Sequence, residues 1–305
     1  MDLMAIREGT ATVGDVDLFY DEFGSPDDPA VLLIMGLGAQ MVLWRTEFCE
    51  QIAAAGYRVI RFDNRDSGLS TKFDGARSGG GPLPLKLLKF FVGLPAAGSA
   101  YTLTDLANDA AGVLDHLGID RAHIVGASMG GMIAQVFAAD HADRTLSATV
   151  IMSSNNRAFL PPPGPRQLLA LLSPPPKGAG REEIIANSVA VSGVIGSPVY
   201  PPAAETALAR ATEYFDRCYY PIGVARQFAA ILASGSLVGH DELIGARTLV
   251  LHGTHDKLMR ASGARAVARS VSDARLVMVD GMAHDLPEPL WDRIIGELTR
   301  HFAAS

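Results

Sequence analysis

Cysteine is nearly missing from this chain. Its 305 residues hold two, Cys49 and Cys218, too few for a metal cluster and too far apart to read as a disulfide framework, so both are expected as free buried thiols. Long apolar runs are missing as well. No stretch reaches the roughly 18 uninterrupted apolar residues that cross a bilayer. The opening MDLMAIREGTATVGDVDL is broken by charges and glycines, where a secretory signal needs a positive start and an apolar core. Positive charge is in short supply: 26 Lys and Arg stand against 33 Asp and Glu, a formal net charge of -7. That balance leaves no overall basic footprint for nucleic acid or an anionic membrane surface. The absences point to a cytoplasmic protein with no membrane span, no nucleic-acid partner and a small-molecule substrate. Internal repeats and low-complexity tracts are absent too, and no pattern discloses an oligomeric state.

Apolar material is plentiful, at 48% of residues against 19% charged, enough for one large α/β core with an inserted subdomain. AVLLIMG is the continuous apolar run of a fully buried strand, and ATVGDVDLFYDEFG before it predicts two half-exposed strands. WRTEFCEQIAAAGY has helical spacing ending at Gly56, followed by the strand RVIRF and the turn-rich DNRDSGLS. TLTDLANDAAGVLDHLG opens with Thr-x-x-Asp capping chemistry and stops at Gly118. Strand AHIVGAS, helix GGMIAQVFAADHAD and strand LSATVIMSS continue the alternation. RTLVLHGTHD, SGARAVARSV, ARLVMVDGMAH and PLWDRIIGELTRHF complete it. Strands alternating with helices predict a mainly parallel sheet covered on both faces.

Two segments break the rhythm. Phe73 to Ala100 carries a triple glycine and then LPLKLLKFF between prolines. With two lysines and little polar face, that piece is expected to pack as a lid over an apolar pocket rather than lie on a membrane surface. Residues 155–243, with proline clusters PPPGP and SPPPKG, are expected to form a helical cap inserted into an α/β core of residues 1–154 and 244–305.

The chemistry concentrates in HIVGASMGGMIAQ. A hydroxyl nucleophile on a sharp strand-to-helix turn needs small neighbours, and Gly126-Ala127-Ser128-Met129-Gly130 supplies them. An N-cap serine would account for the residue alone, but an apolar strand before and an apolar helix after favour the nucleophile. A serine hydroxyl needs a base, and the base needs a carboxylate to hold its tautomer. Of eight histidines, His284 follows the last predicted strand at the sheet edge where Ser128 emerges. Asp256 follows the penultimate strand on the same edge. The rival acid position after SATVIMSS holds only Ser153, Ser154, Asn155 and Asn156, while Asp280 and Asp285 lie too close in sequence to His284 to orient its ring. An oxyanion needs two fixed donors. The Met129 N–H is one, and the Leu37 N–H, presented by the Gly36-Leu37-Gly38 loop, is the other. A zinc reading of His252, His255 and Asp256 fails because consecutive strand-end residues point in different directions. Arg65 and Asp66 are expected to form a structural ion pair or turn rather than contact substrate.

LIMGLG, FDNRDSGLS, GASMGG, HGTHD and GMAH, in that order, resemble the α/β-hydrolase fold family over nearly the whole chain except the cap and the Phe73 to Ala100 excursion. Met35-Gly36 in place of the more usual His-Gly, together with FDNRDSGLS, is similar to the branch of aclacinomycin methylesterase and carboxylesterases. The resemblance implies an ester hydrolase working through an acyl-serine, without metal or organic cofactor. The missing histidine implies a different brace for the oxyanion loop. Carbon–carbon bond hydrolysis, perhydrolysis or lactone opening on the same residues stay open, as does a hydrolase fold used as a small-molecule receptor.

Overall fold

The structure, a computed structural model, describes residues 6–76, 81–172 and 178–305. Most of the predicted triple glycine and the SPPPKG cluster lie outside the described residues. The chain opens with β1 (Arg7–Val13), β2 (Val16–Phe23) and β3 (Ala30–Ile34), then α1 (Thr46–Ala54), β4 (Arg58–Phe62) and α2 (Leu83–Phe91). It continues through α3 (Leu103–His116), β5 (Ala122–Ala127), α4 (Met129–Asp140) and β6 (Thr145–Ile151). Among the described residues five helices follow without an intervening strand: α5 (Pro165–Leu172), α6 (Arg181–Ile195), α7 (Ala204–Arg217), α8 (Pro221–Ser234) and α9 (Val238–Asp241). β7 (Thr248–Gly253), α10 (Ala261–Ser270), β8 (Ala274–Val279) and α11 (Trp291–Phe302) complete the fold.

The strands form one sheet in the order β1-β2-β4-β3-β5-β6-β7-β8. β1 and β2 are antiparallel additions and all later pairings are parallel. Parallel strands buried on both faces need no alternation of polarity, and β3, β5 and β7 are buried at every residue. Leu32, Ile34 and Ile124 pack on one face against α3 and α4 through Leu103, Leu106, Ile133 and Phe137. Val31, Leu33 and Val125 point the other way, to Phe48 and Ile52 of α1 and Trp291, Ile294 and Leu298 of α11. The predicted cap on α3 is a complete capping box: Thr102 N–H donates to the Asp105 carboxylate at 2.7 Å, and Asp105 N–H returns to the Thr102 hydroxyl at 3.4 Å. β2 is more buried than a half-exposed strand, because β4 and the Asp21–Arg61 ion pair cover it. Cys49 is buried as expected, whereas Cys218, at the end of α7, is only partly so.

The excursion departs from expectation most. LPLKLLKFF is helical, but no residue of α2 is buried, and Leu83, Leu85, Leu87, Leu88 and Phe91 are exposed. The side carrying Lys86, Lys89 and Phe90 is the one partly covered, so most of the apolar surface of α2 is turned outward. Only Phe90, half-buried, packs against the core cluster beneath. Among the described residues no helix is long and apolar enough to cross a membrane.

Candidate active site

Strand order reverses around β3, which pairs with β4 on one side and β5 on the other. Loops leaving β3 and β5 therefore diverge and open a crevice at the carboxyl ends of the strands. Ser128 sits there between β5 and α4 with φ 56° and ψ -120°, a conformation rare for a residue with a side chain. It persists because its surroundings over-determine it. Ser128 N–H donates to Ile151 O at 3.0 Å and its carbonyl accepts from Ser153 Oγ at 2.6 Å. A Cβ at Gly126 would overlap the Gly130 carbonyl, and one at Gly130 would overlap the Ile34 carbonyl. Gly126 and Gly130 are thus demanded by backbone lying against backbone, and Gly131 by the Ser153 side chain, which a Cβ there would overlap.

Ser128 does not cap its helix through its side chain. Its Oγ lies 3.0 Å from Nε2 of His284, and His284 Nδ1 lies 2.8 Å from Oδ2 of Asp256. The other oxygen of Asp256 accepts the Leu258 and Met259 N–H groups, each at 2.9 Å. The carboxylate is fully buried, and the imidazole side chain is 8% exposed. Three residues from three separate loops thus form one hydrogen-bonded chain. Gly253 makes the approach possible, since a Cβ there would overlap the Met282 carbonyl in the loop carrying His284.

The two expected oxyanion donors lie beside this chain. A Cβ at Gly36 would stand 2.9 Å from Ser128 Cβ and 3.4 Å from its Oγ, so the loop carrying Leu37 passes directly over the hydroxyl. Among the described residues neither the Leu37 nor the Met129 N–H donates a hydrogen bond.

The brace for that loop comes from residues the sequence did not single out. Gln227 of α8 accepts the Gly38 N–H at 2.7 Å and donates to Arg65 O at 2.8 Å. The Tyr214 hydroxyl donates to Gly38 O, and Asn64 Nδ2 donates to Met35 O at 2.9 Å. On the far side, Asp285 accepts the Ser197 N–H at 3.0 Å, and His284 N–H donates to Ile195 O at 3.1 Å. No local pattern marks these positions, because each acts across a long chain separation.

The discounted residues have structural partners. Arg65 makes a two-pronged pair with Asp109 at 2.6 and 2.5 Å. Asp66 pairs both oxygens with Arg226 at 2.7 Å and accepts from Tyr101 Oη at 2.7 Å. Burial pushes the Asp66 carboxyl upward, but the Arg226 fork, the Phe73 N–H and the Tyr101 hydroxyl outweigh it and hold it below the usual range. His252 is buried and turned toward Met259 O at 2.8 Å; burial pushes its pKa down. Asn155, at the rival acid position, donates to Asp241 at 2.8 Å. Among the described residues no three His, Cys, Asp or Glu side chains converge as a metal cage.

A family model described as alpha/beta hydrolase fold matches residues 29–197, more than half of the chain. A rhodomycin D methylesterase of Streptomyces sp. (strain C5), DauP, is 36% identical over 141 residues, 46% of this chain and 40% of that protein. The match thus spans about two fifths of that relative's length. A putative carbamate hydrolase of Azorhizobium caulinodans, RutD, is 25% identical over 277 residues, 89% of each chain. An enol-lactonase structure from Burkholderia xenovorans LB400 superposes with a TM-score of 0.72 at 24% identity, covering 97% of this chain and 100% of that one. At that identity the superposition carries the fold alone.

Proposed function

Because the chain belongs to the alpha/beta hydrolase fold family, we propose that it is a serine carboxylesterase acting on small to medium hydrophobic esters. One observation carries the reading: the unbroken hydrogen-bond chain from Ser128 Oγ through His284 to Asp256. Ser128 Oγ attacks the ester carbonyl while His284 Nε2 takes its proton. Asp256, accepting from Nδ1–H, fixes the imidazole tautomer and stabilises the imidazolium that forms. The Leu37 and Met129 N–H groups receive the oxyanion. The alcohol leaves with the proton from Nε2, and a water activated by the same nitrogen attacks the acyl-serine to release the acid and restore Ser128.

The helical segment 155–243 is the cap over this centre, set on a core of residues 1–154 and 244–305. Leu37, Phe90, Phe228 and Met259 are half-buried around a cluster that includes Met129 and Met132, which supports an apolar acyl or alkyl group. Relatives that include a methylesterase support ester cleavage.

A fluorophosphonate should label the wild-type protein on Ser128 and leave Ser128→Ala unlabelled. Ser128→Ala should lose turnover of p-nitrophenyl esters from acetate to octanoate by about 10⁴-fold or more. Turnover of lactones or vinylogous diketones with every simple ester refused would replace the esterase reading by another reaction on the same residues. Tight ligand retention with no product would replace it by a receptor.

A further inference from the structure

The region around α2 reverses the usual arrangement of a surface helix. Its lysines, Lys86 and Lys89, are partly covered, while Leu83, Leu85, Leu88 and Phe91 face outward, Leu88 at 58% exposure. Phe159 extends the same face. Its ring packs edge-on against Phe91 at 5.4 Å between centroids, its N–H donates to Phe91 O at 2.8 Å, and it is 70% exposed. It also holds φ 62°, an unfavourable backbone region for a bulky side chain. The chain thus tolerates local strain while turning an aromatic ring to solvent. Six residues later α5 begins, within about 20 Å by chain reach, and leaves Leu168, Leu169 and Leu171 exposed, with Leu169 at 68% exposure.

Charge on this face runs against the rest of the protein. Between Asp74 and Asp105, and again between Asp143 and Glu182, the chain has no carboxylate side chain, although acids outnumber bases overall. Lys89, Arg157 and Arg166 have no carboxylate within ion-pair distance among the described residues. Arg121, Arg265, Arg269 and Arg293 also lack an ion pair among the described residues, so what sets this face apart is the absence of acids along its own segments together with its exposed apolar side chains. Exposed leucines and phenylalanines beside unneutralised cations form a surface complementary to negatively charged lipid: apolar groups enter the acyl boundary while cations meet headgroups.

We infer that α2, Phe159 and α5 form a docking face for an anionic bilayer surface, to which the protein binds reversibly without spanning it. The face adjoins the candidate active site. Phe90 of α2 packs against the cluster that also carries Leu37 and Met129, and Gly164 N–H, just before α5, donates to the carbonyl of Lys257, next to Asp256, at 2.7 Å. An ester dissolved in the bilayer therefore meets the protein on the side from which the crevice is approached. Net charge conceals this face, because it averages it with an acidic remainder.

The test is flotation of the full chain with vesicles of phosphatidylglycerol and phosphatidylcholine, against phosphatidylcholine alone, at low and at 0.5 M salt. Wild type should float with the anionic vesicles, and the salt or the neutral lipid should lower the partition coefficient about tenfold or more. Lys89→Glu with Arg166→Glu should do the same, and so should Leu88→Gln with Phe159→Ser. All four positions are solvent-facing or half-covered, and both variants should retain wild-type circular dichroism and turnover of a water-soluble ester. Ser128→Ala should float like wild type, so the docking face and the esterase reading fail independently. Binding that ignores lipid charge, survives both variants or never occurs overturns the inference. A solution dimer abolished by Leu88→Gln with Phe159→Ser also overturns it and assigns the face to a second copy of the chain.

Discussion

The two halves of the structure above the sheet edge are joined to it in different ways. On one side, α7 and α8 are bolted down: Arg217 pairs with Asp63 at 2.7 Å, Arg226 forks onto Asp66, and Gln227 and Tyr214 grip the loop carrying Leu37. By contrast α2, which rests on α8, and α5 lie on the surface with leucines outward. Buried ion pairs enforce geometry at a high desolvation cost, so they suit the half that holds a hydrogen-bond donor in position. Exposed apolar side chains fix little by themselves and suit a half whose partner lies outside the protein.

Breaking a bolt is the most severe test of this contrast. Arg226→Ala leaves the fully buried Asp66 carboxylate without its fork, and a carboxylate stranded in that way destabilises by about 3–5 kcal/mol. The urea midpoint should fall accordingly. A loss below about 1 kcal/mol would mean that α8 is held by its apolar packing alone, and the two halves would then differ only in exposure.

The same contrast explains what could be read from sequence. GASMGG was legible because each of its glycines answers a local demand, a carbonyl or side chain of an adjoining element lying where a Cβ would go. Asp256 and His284 were legible through topology, since parallel strands deliver their following loops to one edge. The bolts were not. Gln227 and Tyr214 act across 189 and 176 residues, and a helix sequence does not announce which loop it will touch. α2 was legible as a helix, but not its orientation, because the side carrying Lys86 and Lys89 is the one partly covered, the reverse of what polarity alone would predict.

A smaller perturbation separates holding a loop from holding a fold. Gln227→Leu preserves bulk but leaves the Gly38 N–H without its acceptor, and a stranded donor costs about 1–3 kcal/mol, which on the loop that holds the oxyanion corresponds to a fall in activity of about 10–100-fold. The fall should appear in kcat for a soluble ester, with KM changed by less than about twofold, because Gln227 positions the loop and does not touch substrate. Gln227→Glu keeps an acceptor oxygen and should recover part of the loss. A change in thermal stability with kcat intact would reassign Gln227 to structure alone.

The smallest expected effect lies where the two halves share a root. Asn155 begins the helical segment after β6 and Asp241 stands near its end; Asn155 Nδ2 donates to Asp241 Oδ2 at 2.8 Å, and Leu237 N–H donates to Asn155 O at 2.8 Å. The other carboxyl oxygen of Asp241 is buried without a hydrogen-bond partner among the described residues. Burial pushes its pKa up to about 7, against the Asn155 amide, which favours the charged form. The folded state therefore binds this proton more tightly than the unfolded chain, whose aspartate titrates near 4. Stability from the protonated carboxyl is fully present below about pH 4 and is lost as pH rises toward 7. Asp241→Asn keeps the shape, can still accept from Asn155, and carries no charge. It should stabilise the fold relative to wild type more at pH 8 than at pH 5, by on the order of 1–2 kcal/mol, read as a melting temperature several degrees higher. An equal shift at both pH values would mean that Asp241 stays charged in the fold, and that the clasp between the ends of the helical segment is an ordinary ionic hydrogen bond, insensitive to pH across the neutral range.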